Sequence, residues 1–251
     1  MDPLDFITSL SREAGALLRD RLDDPREIAY KRPSDLVTDA DRASEALIVA
    51  RVHAAFPGAA ILGEEGGRYA GTSGECFIVD PLDGTTNYAH RYPMFCVSIA
   101  YERDGMVEAA AIYAPMFDDL FAARRGGAAT RNGAEIRVSP IGRVSEALAC
   151  TGFTPAQWEP NGARFERLQR AAQALRRDGS AALNLAYVAA GRFDAFWEWN
   201  LKPWDVAAGA TIIEAAGGRV TTIEGGVHAV SSGSILATNG ALHDEMYALL
   251  A

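Results

Sequence analysis

The acidic side chains with the most chemical promise lie in Cys76-Phe77-Ile78-Val79-Asp80-Pro81-Leu82-Asp83-Gly84-Thr85-Thr86-Asn87, where an apolar, β-favouring run ends on one aspartate and a second follows at i+3. Proline has no N–H, so Pro81 is expected to stop the ladder and leave both carboxylates converging at the sheet edge. Gly84 allows close backbone approach to a ligand, and Thr85 is expected to open a short helix whose free N–H groups can hold an anion. A hard-cation site would thus lie beside an amide nest for phosphate. An aspartyl-phosphate nucleophile with its acid partner needs Asp-x-Asp; the spacing here is Asp-x-x-Asp, which favours two metal ligands.

Asp-Pro-x-Asp is also simply turn-forming, and the chain contains its own control. Asp2-Pro3-Leu4-Asp5 repeats the tetrapeptide without a preceding strand or a following glycine. There Asp2 is a natural N-cap and Pro3 a natural first helical residue. Three further segments carry carboxylates. Leu62-Gly63-Glu64-Glu65-Gly66-Gly67 delivers acids from a strand end into a glycine-rich loop. Ser34-Asp35-Leu36-Val37-Thr38-Asp39-Ala40-Asp41 opens a helix, and its Thr38-x-x-Asp41 also fits a capping box. Pro203-Trp204-Asp205-Val206 puts an aspartate in the first turn of an apolar helix, where plain capping is the competing explanation. Glu198 sits in the aromatic run Phe196-Trp197-Glu198-Trp199, either as a ligand for hydroxyl groups or as an edge-strand charge facing water.

The elements that must position these groups follow from periodicity. Helical spacing predicts helices over Pro3–Leu22 and Asp39–Ala55. Short β-favouring runs predict strands at Ala60–Leu62, Cys76–Val79, Cys96–Ala100, Val107–Tyr113 and Leu120–Ala123, then a hairpin turning on Asn132-Gly133. The second half reads as a strand near Ala147–Thr151, helices over Gly162–Leu175 and Ser180–Ala190, a strand over Phe193–Trp199 and a helix over Asp205–Ala216. Two short strands and a last helix from Ala241 complete it. Irregular mixing of helix and strand predicts an α/β or α+β layered sandwich, with residues 1–251 forming one domain of two closely packed lobes and a soft boundary near 139–142.

Bulk properties narrow the function class. The 33 acidic residues against 24 basic ones argue against nucleic acid as a partner, and no apolar run is long enough for a membrane span. An acidic protein that handles phosphate must gain positive charge from elsewhere, and a divalent cation is the obvious source. The start of the chain shows no export signal, and the 3 widely spaced cysteines fit neither a disulfide framework nor a zinc site, so a reducing cytoplasm is expected. No Cys-x5-Arg motif occurs, and His53, His90, His228 and His243 form no catalytic pattern.

Taken together, Asp35-Leu36-Val37-Thr38-x-x-Asp41, Gly63-Glu64-Glu65, Asp80-Pro81-Leu82-Asp83-Gly84-Thr85-Thr86-Asn87, Gly179-Ser180-Ala181-Ala182 and Trp204-Asp205-Val206-Ala207 resemble the inositol monophosphatase family, in order and over most of the chain. The resemblance implies a five-layer αβαβα sandwich, a homodimer and a lithium-sensitive site holding two or three magnesium ions. It assigns the first ion to Glu64, Asp80 and the Leu82 carbonyl, and the second to Asp80, Asp83 and Asp205. It places phosphate on the Gly84 and Thr85 amides, gives Glu64, Thr85 and Asp41 the activation of water, and lines the substrate pocket with Asp83, Gly84, Thr85, Ala181, Glu198 and Asp205. The implied reaction is hydrolysis of a small phosphomonoester, foremost myo-inositol 1-phosphate, by direct attack of a metal-activated water. Histidinol phosphate, fructose 1,6-bisphosphate and 3′-phosphoadenosine 5′-phosphate are alternative substrates, and an interaction protein retaining the fold is the non-enzymatic alternative.

Overall fold

A computed structural model of the chain describes residues 1–24, 28–32, 35–153 and 158–251. Helix α1 (Pro3–Asp20) is capped by Asp2, whose Oδ1 accepts the Asp5 N–H at 3.0 Å, so the first Asp-Pro-Leu-Asp is a helix start. A two-stranded hairpin of β1 (Ile28–Arg32) and β2 (Asp35–Thr38) leads into α2 (Asp39–Ala55). This corrects the expectation that Asp35 to Thr38 merely opens the helix; Leu36 and Val37 pair with Tyr30 and Ala29. Ser34 lies outside the described residues.

The large sheet follows: β3 (Ala60–Gly63), β4 (Gly67–Tyr69), β5 (Glu75–Asp83), the short α3 (Thr85–Ala89), β6 (Cys96–Arg103), β7 (Met106–Ala114), β8 (Asp119–Arg124), β9 (Thr130–Arg131) and β10 (Ala134–Glu135). Its 8 strands run in the order β10-β9-β8-β7-β6-β5-β3-β4. Asn132 and Gly133 both adopt positive φ, 51° and 80°, as the tight hairpin between β9 and β10 requires. The second sheet has 5 strands, ordered β12 (Ala174–Arg176), β11 (Leu148–Thr151), β13 (Ala195–Trp199), β15 (Ser234–Thr238) and β14 (Arg219–Thr221). Helices α4 (Trp158–Ala171), α5 (Ala181–Ala189), α6 (Pro203–Ala215) and α7 (His243–Leu250) complete the described chain.

Period-two alternation sorts the strand side chains into layers. Phe77 and Val79 of β5 pack with Ile7, Leu10 and Leu18 of α1 and Ile48 and Val52 of α2 on the outer face. Ile78 points the other way, into a core shared with α5, α6 and the inward residues Cys150, Phe196 and Ile235 of the second sheet. Ala149, Ala195 and Trp197 face outward again, against Leu168 of α4 and Met246 and Leu250 of α7. The result is the αβαβα sandwich, with α5 and α6 as the middle layer touching both sheets. All three cysteines are free thiols, and no described helix is long and apolar enough to cross a membrane.

One helix end is corrected. Leu175 was expected to close the helix over Gly162–Leu175, but α4 stops at Ala171 and Leu175 belongs to β12. Leu148 and Ala149 of β11 pair in parallel with Ala174 and Leu175. Satisfying the backbone groups on that side of β11 while burying Leu175 outweighs the weak local preference for helix.

His243 gives the fold a testable pH response. The ring is 2% exposed, with Nδ1 3.0 Å from Thr238 Oγ1 and Nε2 3.0 Å from Thr221 Oγ1. Burial, helped by the nearby Arg219 charge, pushes its pKa down to about 4. The unfolded chain takes up this proton near pH 6.5 and the native ring does so only near 4, so the stabilisation is whole above 6.5 and is lost as pH falls toward 4, to a total of about 3 kcal/mol. In urea unfolding at pH 7 and pH 4, His243→Gln should lose less stability on acidification than wild type by about that amount. Equal losses in the two proteins would show that His243 titrates normally.

Candidate active site

On a regular strand, residues at i and i+3 point to opposite faces, so Asp80 and Asp83 could not share a site. The register solves this. Asp80 pairs with Ser98, whereas Asp83 pairs with Cys96, so three steps along β5 match two along β6. This bulge puts both aspartates on the face of Ile78, toward α5 and α6. Pro81 therefore does not stop the strand as expected; β5 continues to Asp83, and the irregularity accommodates a residue that cannot donate to the ladder. Ser44 of α2 holds the bulge from the other side, its hydroxyl donating to the Pro81 carbonyl at 2.8 Å.

Each carboxylate is set by a different neighbour. Asp80 is 1% exposed and accepts the Leu82 N–H at 3.0 Å. Asp83 serves the N-terminus of α5: Oδ1 accepts the Ala181 N–H at 3.2 Å, and Oδ2 accepts the Ala182 N–H at 2.8 Å and the Ser180 hydroxyl at 2.5 Å. The buried Cys96 thiol also reaches Oδ2 at 3.6 Å. Ala181, expected in the pocket, is thus bonded to Asp83 through its amide. Asp205 sits in the first turn of α6, where it accepts the Lys202 N–H at 2.7 Å. Its capping role is real and coexists with a place beside the other acids.

The α2 end of the site joins two expectations that had competed. Thr38 and Asp41 form the capping box, with Asp41 Oδ2 accepting the Thr38 N–H at 2.8 Å and hydroxyl at 2.5 Å. The other oxygen, Oδ1, accepts the Thr85 hydroxyl at 2.9 Å, and that hydroxyl also lies 3.1 Å from the Leu82 carbonyl. Between Asp83 and Thr85, Gly84 has φ 95°, and a Cβ there would meet the Met94 carbonyl oxygen at 2.8 Å. Only glycine suits that combination of dihedral and space. Glu64 follows β3 directly, in the turn between β3 and β4.

Glu198 is half-buried and is not on an edge strand. Its strand β13 is interior to the sheet, and its side chain shares the inward face with Phe196. A Cβ at Gly152 would collide with its carboxylate, so the missing side chain of Gly152 makes room for it. Burial first, then repulsion from Asp205 and Asp83, pushes the Glu198 pKa well up, with Arg177 partly offsetting this.

The same electrostatics bind the site together. Burial and the charges of Glu64, Asp83 and Asp205 push the Asp80 pKa well above the ordinary carboxylate value. Asp205 is pushed up to about 8, by burial and then by Asp83 and Glu64 against the opposing Lys202 amide. Burial raises Asp83 and Asp41 as well, opposed in each case by their hydrogen bonds. Among the described residues no three acidic, histidine or cysteine side chains already close into one ligand shell. The donors are nonetheless all oxygen, and an ion that keeps several waters needs few of them. A hard divalent cation fits this set, because it supplies the charge that four mutually repelling carboxylates lack.

Ser44, Glu45, Cys96 and Gly152 were not anticipated as parts of the site, and Ser180 and Ala182 appeared in the sequence only as members of a motif, with no role. One signal was available: the buried stripe of α2 reads Asp41, Ser44, Glu45, Ile48, Val52, with three polar residues where apolar ones belong.

The sequence model of the inositol monophosphatase family matches residues 2–251. An inositol-1-monophosphatase of Rhizobium meliloti is 43% identical over 218 residues, 85% of this chain and 82% of that protein. A fructose-1,6-bisphosphatase/inositol-1-monophosphatase of Thermotoga maritima is 38% identical over 98% of this chain and 94% of its own. The crystal structure of the extragenic suppressor protein suhB of Bartonella henselae superposes with a TM-score of 0.95 at 37% identity, covering 98% of this chain and 97% of that one. Fold, ordered motifs and similarity along the whole length agree, and the chain belongs to the inositol monophosphatase family of phosphatases.

Proposed function

We propose that this protein is a magnesium-dependent phosphomonoesterase acting on a small phosphorylated polyol of the inositol 1-phosphate type. The observation that carries this reading is the bulge in β5, which turns Asp80 and Asp83 to one buried face within electrostatic reach of Glu64 and Asp205. Glu64, Asp80, the Leu82 carbonyl, Asp83 and Asp205 would hold magnesium, which when bound would supply positive charge to offset the carboxylates and the phosphate.

The chain's own groups do the rest. The Gly84 and Thr85 amides bind phosphate oxygens, with Gly84 allowing the approach. Thr85 donates its hydroxyl hydrogen to Asp41, leaving an oxygen lone pair to orient a water. Glu64 accepts the proton that water loses as it attacks phosphorus; the bond to the alcohol oxygen breaks, and a second water from solvent protonates that oxygen as it leaves. Glu198 accepts hydrogen bonds from substrate hydroxyls beside Asp83 and Ala181. Because Asp83 comes from the first sheet and its amide partners from α5, the site supports treating residues 1–251 as one working domain.

A phosphate-release panel tests the reaction directly. Inositol 1-phosphate should be hydrolysed with magnesium and not in chelator, and millimolar lithium should inhibit; full activity in chelator, or activity with zinc alone, would contradict the proposal. Asp80→Asn should lower kcat by about three orders of magnitude or more. In chelator the same variant should unfold at a higher temperature than wild type, because it removes a buried charge surrounded by like charges. Asp2→Asn should leave kcat unchanged and shift the unfolding temperature only slightly, since Asn caps a helix as well as Asp does and the pair lost with Arg124 lies at the surface.

Glu198→Gln tests the substrate class. Replacing the charged acceptor should weaken polyol binding by about 1–3 kcal/mol, raising KM for inositol 1-phosphate roughly 5- to 150-fold with a smaller change in kcat. An aryl phosphate without ring hydroxyls should be cleaved almost as before. Equal losses on both substrates would place Glu198 in the catalytic machinery instead, and no loss on either would remove it from the pocket.

A further inference from the structure

Glu45 is a carboxylate that the proposed mechanism does not use, and it is 4% exposed. It lies on the same stripe of α2 as Asp41 and Ser44, whose contacts reach Thr85 and the Pro81 carbonyl. Its own two oxygens reach the turn after β3. Oε2 accepts the Glu65 N–H at 2.8 Å and Oε1 the Gly66 N–H at 2.5 Å. The Tyr69 hydroxyl bonds to the same carboxylate, which together with burial holds the phenol above its ordinary pKa.

The glycines of the turn fit this arrangement. A Cβ at Gly63 would stand 2.8 Å from Glu45 Oε2, and one at Gly66 would stand 2.5 Å from Oε1 and collide with the Tyr69 hydroxyl. The turn is therefore folded directly onto the carboxylate. Glu64 is held on both sides: Gly63 before it pairs with Val79 in the sheet, and the Glu65 N–H after it belongs to the peptide unit that carries the Glu64 carbonyl. With that peptide plane fixed, the backbone of Glu64 has little freedom left.

We propose that Glu45 is a positioning residue which, through the Glu65 and Gly66 amides, fixes the Glu64 backbone so that the Glu64 carboxylate is presented to the divalent cation. This rests on the proposed role of Glu64 as a metal ligand. Outer groups that orient a ligand are worth roughly 10- to 100-fold in metal affinity or activity when removed. The carboxylate suits the task because both acceptors are needed at once; an amide can accept at only one of its two positions.

The test uses residues 1–251 and manganese alone as probe, with bound ion counted from the loss of the free-ion electron paramagnetic resonance signal. Glu45→Gln should raise the manganese dissociation constant about 10- to 100-fold. Its kcat at saturating metal should stay within a few-fold of wild type, a split that general loss of structure would not produce. Gly66→Ala, which pushes on the same contact from the loop side without changing charge, should act in the same direction. Glu13→Gln, which alters an exposed carboxylate paired with Arg51, should bind manganese as wild type does. Folded Glu45→Gln and Gly66→Ala proteins with unchanged manganese affinity would overturn the proposal, and so would failure of both variants to fold, which would assign the contact to the fold alone. Wild-type protein that binds no manganese would instead remove the metal-dependent reading beneath it.

Discussion

Asp80 is withdrawn almost completely from water while Glu64, Asp83 and Asp205 act on it as like charges. Placing a carboxylate in such surroundings without compensation costs several kcal/mol, enough to matter against a net stability of only about 5–15 kcal/mol. The rest of the molecule can be understood as the means of tolerating this concentration of charge. Some of the compensation is built in: Asp83 is met by two amides and a hydroxyl at the start of α5, Asp205 by the Lys202 amide, and Asp41 by Thr38 and Thr85. Asp80 has a single short-range donor described for it, the Leu82 amide, and is the carboxylate whose environment most demands a cation.

The layered fold supplies these partners from both sides. The acids of β5 look inward at the middle helices, so the first turns of α5 and α6 arrive with their amides and with Asp205. From the opposite side α2 passes the end of β5, and its polar stripe reaches Thr85, the bulge and the turn carrying Glu64. The bulge is what lets one strand serve both directions: the apolar residues before it alternate between two cores, while the two aspartates around it share a face.

Much of this could be read in the sequence, and for identifiable reasons. The apolar run before Asp80 marks a strand, the following Gly84 and Thr85 mark a loop and helix start, and their absence after Asp5 separates the two Asp-Pro-Leu-Asp copies by local context alone. The helices over 3–20 and 39–55 are legible because each buries one stripe. What stayed hidden depends on pairing between distant segments. The bulge is a register relation between β5 and β6, β12 exists because β11 lies beside it, and only the sheet order shows that the β13 strand carrying Glu198 is interior. Thr38-x-x-Asp41 read as either a cap or a site residue; one oxygen of Asp41 caps α2 and the other accepts the Thr85 hydroxyl, because a carboxylate has two oxygens and the fold directs one each way.

The central claim is that the buried acids around the β5 bulge form a divalent-cation site. Anomalous diffraction from crystals grown with manganese and inorganic phosphate tests it most directly. The account predicts anomalous density bounded by the carboxylates of Asp80 and Glu64 and the Leu82 carbonyl, with phosphate against the Gly84 and Thr85 amides. Manganese bound only elsewhere on the molecule, with these carboxylates paired to each other through shared protons, would contradict it.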